Sequence, residues 1–291
     1  MAAWAHRALM LALMLWGAAW AAPGTKPPAV GAAPLRLGIP PAIVHDRYDL
    51  IEDWRAYMQR HLARPVEFIA CNGYSETLNL LRQRRVDVAW ISSGAYVFLA
   101  RSASVRLLVT PIYRGRPYYR AYLIVPATDR ETASLAQLKG KVFAYGDMDS
   151  LAGYRLPRFE LRQAGKDADN FFRRSFVTGS SRHVFEAVAD GLADAGSVSS
   201  FIWDTLAVVK PGLVGAVRIA AKSPEYAFPP LVVQPGMDRA EAHALQRVLM
   251  QMATDPEGAA LLKRLNIDGF VAGDPRLYDS VASTMRALGL L

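Results

Sequence analysis

The sequence predicts an α/β protein of two similar lobes, each a mostly parallel sheet flanked by helices, with a ligand cleft between the lobes. Three observations carry the prediction. Short apolar runs of strand type alternate with stretches of helical period, the pattern of parallel βα units. That phrase occurs twice, at a constant offset of 107 residues. The segments between and after the two copies are strand-like links followed by a run of helices.

In the first copy, residues 35–39 read as a strand and residues 49–62 as a helix with Leu50, Trp54, Tyr57, Met58 and Leu62 on one face. Residues 66–70 are a second strand, 75–84 a helix, and 86–91 a third strand with a short helix from about Ser93. Adding 107 carries 35–39 onto 142–146 without a gap. It also places Leu78 on Phe185, Leu81 on Val188, and "VDVAWISS" on "ADAGSVSS", so that Asp87 meets Asp194. Residues 107–109 and 121–125 fit the link into the second lobe, and residues 217–220 and 231–233 lead back. Residues 239–291 are mainly helical. Asp255-Pro256 and Asp274-Pro275 are helix starts there, an N-cap followed by proline at the first position. The expected borders are 35–125 with 218–291 for lobe one and 126–217 for lobe two.

The chain begins with Arg7 ahead of an apolar run at residues 8–16, then small residues. That is the layout of a secretory signal peptide, residues 1–21, cleaved after Ala21. The run is shorter than the roughly 20 residues a spanning helix needs. Residues 22–34, "APGTKPPAVGAAP", read as a flexible linker. About 270 residues remain after cleavage, enough for one large or two medium domains. The single cysteine, Cys71, excludes an intrachain disulfide framework and a multi-cysteine zinc site. A net charge of +8 suits anionic solutes or surfaces. No nucleic-acid motif accompanies it, so nucleic acid is not an expected partner.

In open parallel sheets, ligands bind outside the carboxyl ends of the strands. That rule selects residues 40–48, 71–75 and 92–96, and then 147–153, 179–182 and 199–203. Ser92, Ser93, Ser150, Ser180, Ser181, Ser199 and Ser200 fall at or near predicted helix starts in these loops, joined by Tyr74 and Arg182. Helix N-termini carry unpaired N–H donors and the positive end of the helix dipole. Small residues let an anion approach those donors. The turn from Ser150 to Gly153 is therefore a candidate oxyanion seat. The competing reading makes each serine an N-cap alone, worth about 1 kcal/mol to its helix. Asp147 and Asp149 lack calcium-loop spacing, because Leu151 and Ala152 interrupt it, so no metal site is expected.

The stretches "VFAYGDMDSLAGYRLP", "GSSRHVFEAVADGLADAGSVSS" and "SPEYAFPPLVVQPGMD" resemble the periplasmic phosphate/phosphite/phosphonate-binding proteins of ABC importers. "RVDVAWISSGAYVFLA" and "GRPYYRAYLIV" extend the resemblance, in order, over roughly residues 35–290. It implies a type II periplasmic-binding-protein fold whose cleft closes on a solute. Ser150 matches the first hydroxyl of the family's Asp-Ser-Thr-Ser-Gly turn, but Leu151 and Ala152 replace the next two. Arg182 stands where the family's Ser-His-Asp has histidine, as a permanent cation suited to a bidentate oxyanion contact. Tyr74, Tyr96 and Tyr119 match positions that are often aromatic. No acid lies near residues 199–201, where some members read a ligand amine.

The expected ligand-binding set is Tyr74, Ser92, Ser93, Tyr96, Tyr119, Ser150, Gly153, Ser180, Ser181, Arg182 and Ser199. The pocket is expected to be less polar on one side, which disfavours an aminoalkylphosphonate. The function this implies is capture of a small anion for an ABC permease, by a monomeric periplasmic protein with no cofactor. One alternative is a ligand-sensing subunit that docks on a membrane kinase or cyclase. Another is an enzyme with Cys71 as nucleophile and His45 or His183 as base. No nucleophile motif surrounds Cys71, and catalysis is not expected.

Overall fold

The computed structural model describes residues 33–39 and 47–291. The signal peptide, nearly all of the linker, and His45 lie outside the described residues. No helix among the described residues is long and apolar enough to cross a membrane.

The first unit runs β1 (Leu35–Ile39), α1 (Tyr48–Leu62), β2 (Val66–Ala70), α2 (Tyr74–Arg82), β3 (Val88–Trp90), α3 (Ser93–Arg101) and β4 (Arg106–Ile112). A crossover through β5 (Tyr118–Tyr119) enters β6 (Ala121–Pro126). The second unit follows as β7 (Val142–Tyr145), α4 (Leu156–Gln163), α5 (Ala168–Phe171), β8 (Arg174–Val177), α6 (Ser181–Ala189), β9 (Ala195–Ser199), α7 (Ser200–Val209), α8 (Pro211–Gly215) and β10 (Val217–Lys222). The chain returns through β11 (Tyr226–Ala227) to β12 (Leu231–Val233). It ends in α9 (Arg239–Gln251), α10 (Pro256–Leu265), β13 (Gly269–Ala272) and α11 (Asp279–Ala287).

Two sheets result, ordered β13-β4-β12-β3-β1-β2 and β10-β6-β9-β7-β8. They are mixed rather than mostly parallel. β1 pairs parallel with β2 and β3, and β7 parallel with β8 and β9. The remaining pairs in both sheets are antiparallel. The reason is topological: β4, β6, β10 and β12 carry the chain between lobes and back, without a βα crossover to restore direction.

The expected borders shift as well. β6 and β10 both belong to the second sheet. The chain changes lobes where β5 and β11 pair, Tyr119 with Tyr226 and Tyr118 with Ala227.

The repeat is offset by 107 residues at its helix starts, since α2 and α6 begin at Tyr74 and Ser181, and α3 and α7 at Ser93 and Ser200. The opening strand departs from it. Leu37 pairs with Val88, whereas Phe143, not Ala144, pairs with Ala195. The offset there is 106. Two carboxylates mark the same shift: Asp87 accepts from Arg36 N at 2.9 Å and Asp194 from Val142 N at 2.7 Å. A one-residue slip exchanges the two faces of a strand. At 106, buried Leu37 and Ile39 correspond to buried Phe143 and Tyr145.

Local chemistry sets the helix ends. α1 buries Leu50, Trp54, Tyr57 and Met58 and stops at Ala63 in the left-handed conformation, φ 49°. α10 starts at Asp255, whose carboxylate accepts from Gly258 N at 2.7 Å, with Pro256 at its first position. Asp274-Pro275 opens a single 3₁₀ turn, Pro275–Tyr278, that leads into α11.

One surface turn offers a pH test. Asp129 accepts from the Thr132 hydroxyl at 2.6 Å, from the Thr132 and Glu131 N–H groups at 2.9 Å, and from Arg218 at 3.1 Å. These donors lower its carboxyl pKa to about 2. A lowered folded-state pKa contributes stability above the unfolded value, and that contribution is lost as the pH falls towards about 2. Asp129→Asn is expected to lower the melting temperature at pH 7. Relative to the parent, that deficit should shrink between about pH 4 and pH 2. Thermal unfolding across that window checks it; a pH-independent deficit would assign the effect to packing.

Candidate functional site

Four of the cleft serines are N-caps. Ser92 Oγ accepts from Ala95 N, Ser150 Oγ from Gly153 N, Ser180 Oγ from His183 N and Ser199 Oγ from Phe201 N, at 3.0–3.3 Å. A capping serine uses a lone pair and keeps its O–H for another acceptor. The cap and binding roles are therefore compatible. Beyond each cap, the first helical N–H groups are geometrically unable to bond within the helix. Leu151 and Ala152 open a π-helical turn, Leu151–Arg155, whose first backbone bond is donated by Arg155 N to the Ser150 carbonyl at 3.2 Å. Ser181 and Arg182 occupy the equivalent place on α6.

The two lobes touch directly beside these helix starts. Asp147 accepts from the backbone N–H and the hydroxyl of Ser75, both at 3.1 Å, and from Asp149 N at 2.7 Å. The Ser75 hydroxyl also reaches Asp149 at 2.9 Å, and the Ser92 hydroxyl donates to the Asp149 carbonyl. Arg155 holds Asp149 from behind at 3.1 Å. Lobe two thus lays a carboxylate on the N-terminus of α2 in lobe one, a favourable place for negative charge. Gly73 makes this contact possible. A Cβ there would lie 2.4 Å from Asp147 Oδ2 and 3.0 Å from the Gly179 carbonyl.

Between the lobes lies a cavity of about 80 Å³. Tyr74, Ser92, Tyr119, Ser150, Ser180, Ser181, Arg182 and Ser199 line it. Ser93, Tyr96 and Gly153 do not. Ser93 is fully buried and donates to the Ala227 carbonyl at 2.6 Å, behind the cavity wall. Tyr96 packs its ring edge-on to Tyr278 at 4.6 Å. Gly153 serves a close backbone crossing, since Gly146 N donates to its carbonyl at 2.9 Å and a Cβ would stand 3.1 Å from Ser150 Oγ and 3.4 Å from Gly146 Cα. Burial raises the pKa of the Tyr74 phenol, with Asp147 adding to the effect. Burial raises that of Tyr119 too. Both remain O–H donors at neutral pH.

Further residues line the cavity that were absent from the expected set. Arg47, Asp147, Phe201 and Ile202 fall in the loops selected by the strand-end rule. The apolar Leu206 and Val209 follow on α7, and Lys210 caps its C-terminus. Trp90, Phe228 and Pro229 come from the end of β3 and the returning crossover. Trp90, Phe201 and Phe228 form one cluster, with ring centroids 6.4, 6.4 and 5.2 Å apart. Trp90 satisfies its indole N–H on the Pro229 carbonyl at 2.9 Å.

Cys71 is 3% exposed and packs in the core of lobe one, and burial raises its thiol pKa, the opposite of an activated nucleophile. His183 sits on the surface with Nδ1 3.2 Å from the Thr178 carbonyl.

Residues 37–278 match the family described as ABC transporter, phosphonate, periplasmic substrate-binding protein. This chain belongs to that family. The binding protein is 20% identical over 243 residues to the probable ABC transporter phosphite binding protein PhnD1 of Prochlorococcus marinus (strain MIT 9301), spanning 79% of this chain and 81% of the relative. The structure of that PhnD1 in complex with methylphosphonate superposes with a TM-score of 0.76 at 18% identity, over 88% of this chain and 98% of the other. A binding protein component of an ABC phosphonate transporter from Pseudomonas aeruginosa gives 0.79 at 20% identity, over 86% and 84%. The fold is that of the type II periplasmic binding proteins.

Proposed function

We propose that this periplasmic binding protein captures a phosphate-, phosphite- or phosphonate-like oxyanion between its lobes and delivers it to an ABC permease. One observation carries the reading: the Ser150 turn and the start of α6 direct helix-terminal donors and Arg182 at the same small cavity. Preorganised N–H groups and a guanidinium are the donors a tetrahedral oxyanion needs. The relatives' names, which specify phosphite and phosphonate transport, support the same class. The mature chain is proposed to begin at Ala22 after export and to act as a monomer.

Thermal unfolding with a panel of phosphate, phosphite, alkylphosphonates, sulfate, sulfonates and carboxylates tests the reading. A ligand at 100 times its dissociation constant adds about 2.7 kcal/mol. In a protein of this size that is a rise of roughly 5 °C or more. A rise with a phosphorus oxyanion is the expected result. A flat response to every phosphorus compound would overturn it.

A further inference from the structure

We propose a second anion site outside the cleft, in the crevice between α4 and the C-terminal residues, for a multivalent oxyanion with two or more linked phosphoryl groups. Its lining shares no residue with that of the cleft cavity.

The crevice has a volume of about 430 Å³. Lobe two supplies one wall, with Arg155, Arg158, Arg162 and Lys166. Lobe one supplies the other, with Leu288 and Leu290 just after α11. The local sequence gathers the cations. Arg155, Arg158 and Arg162 stand three and four residues apart, the spacing of one helix face. The chain then turns at Gly165, left-handed at φ 66°, and Lys166 N folds back onto the Leu161 carbonyl at 2.8 Å. That turn brings the lysine to the same crevice.

The protein does not cancel these charges itself. Arg155 pairs with Asp149 at 3.1 Å and Arg158 with Asp169 at 2.7 Å. Among the described residues, no carboxylate pairs with Arg162 or Lys166. Arg162 spends one N–H on the Leu288 carbonyl at 3.4 Å, and a guanidinium has five. Asp167 also lines the crevice, but its oxygens accept from Asp169 N at 3.0 Å and from the Asn170 amide at 2.6 Å.

A buried hydroxyl points the same way. Tyr145 is 2% exposed and its ring lies 5.0 Å from that of Tyr154, which lines the crevice. The Tyr145 hydroxyl has no hydrogen-bond partner, and Arg158 is the charged group that acts on it most strongly. Burying a hydroxyl unbonded is costly, and an oxyanion drawn in beside Arg158 would supply the acceptor. Linked groups suit the row of cations. Arg158 and Arg162 are about 6 Å apart along the helix axis, with Lys166 beyond them. One tetrahedral ion cannot bridge that row, whereas a chain of phosphoryl groups can.

Isothermal titration of the exported protein with inorganic triphosphate, in buffer without divalent cations, tests the proposal. The parent is expected to bind it. A variant with both Arg162→Ala and Lys166→Ala is expected to bind at least tenfold more weakly, the loss of charge-assisted hydrogen bonds. Both side chains are exposed, and thermal unfolding checks that the variant folds. Lys166→Ala alone should show part of the loss. Triphosphate binding that is lost in Arg182→Ala and kept in the double variant would place the anion in the cleft and overturn the proposal. Absence of triphosphate binding to the parent would also overturn it, whatever the cleft binds in the unfolding panel.

Discussion

Replacing Gly73 by alanine is expected to weaken ligand binding by roughly 5- to 150-fold while leaving each lobe folded. Gly73 has extended backbone, φ −171° and ψ 177°, which any residue adopts, so no local strain follows from the substitution. The added Cβ points at the other lobe. It would lie 2.4 Å from Asp147 Oδ2 and 3.0 Å from the Gly179 backbone carbonyl. The Asp147 carboxylate has little freedom to retreat, being held by Ser75 and Asp149. Overpacking of this kind costs about 1–3 kcal/mol. Here the cost falls on the closed arrangement alone, because opening the lobes removes the clash. Apparent affinity falls with the population of the competent state, tenfold for each 1.4 kcal/mol. Titration gives the affinity, and small-angle scattering with and without ligand reports closure. Unchanged affinity would mean that the contact between Gly73 and Asp147 is absent from the liganded state.

The features legible in the sequence were local ones. N-caps, Asp-Pro starts and apolar periodicity depend on neighbours within a few residues, and the structure places α1 and α2 within two residues of their expected ends and starts α10 at Pro256. Pairing direction is not local. A crossover strand has the same composition whether it lies parallel or antiparallel to its neighbour. That is why the sheets read as mostly parallel when half or more of their pairs are antiparallel. The 107-residue offset failed at one strand for a related reason. Leu35–Ile39 and Val142–Tyr145 are both apolar runs, and only the partner carboxylates Asp87 and Asp194 fix which residue opens the ladder.

The site divides along the same line. The strand-end rule found the loops, and a serine before a helix marked the caps. It could not separate Ser92 from Ser93, because one residue of helix rotation, 100°, turns the first to the cavity and the second to the Ala227 carbonyl. Nor could it foresee that Asp147 would spend its charge across the lobe interface. That role needs a partner 72 residues away in the chain. The aromatic lining was hidden for another reason: Trp90 and Phe228 are buried core residues that also face the cleft.

Arg182→Ala is expected to weaken oxyanion binding by about 10- to 150-fold, the loss of one hydrogen bond to a charged group at about 1.5–3 kcal/mol. Arg182 lines the cavity from the first turn of α6, where the helix dipole already favours an anion. Its Nε donates to Glu186 at 2.9 Å, an i,i+4 pair that orients the guanidinium. That pair is partly exposed, and such pairs stabilise a helix by about 0.3–0.5 kcal/mol. The melting temperature of the ligand-free variant, measured alongside, separates a binding role from a structural one. Arg182→Lys should fall between parent and alanine variant, because lysine keeps the charge and loses the planar fork. Ser150→Ala should cost less than Arg182→Ala, since a neutral hydroxyl donor contributes less than a charged one. Titrations of the three variants against the ligand found in the unfolding panel decide the matter. Unchanged affinity in Arg182→Ala would remove the guanidinium from the seat and leave head-group recognition to the N–H groups of Leu151, Ala152 and Ser181.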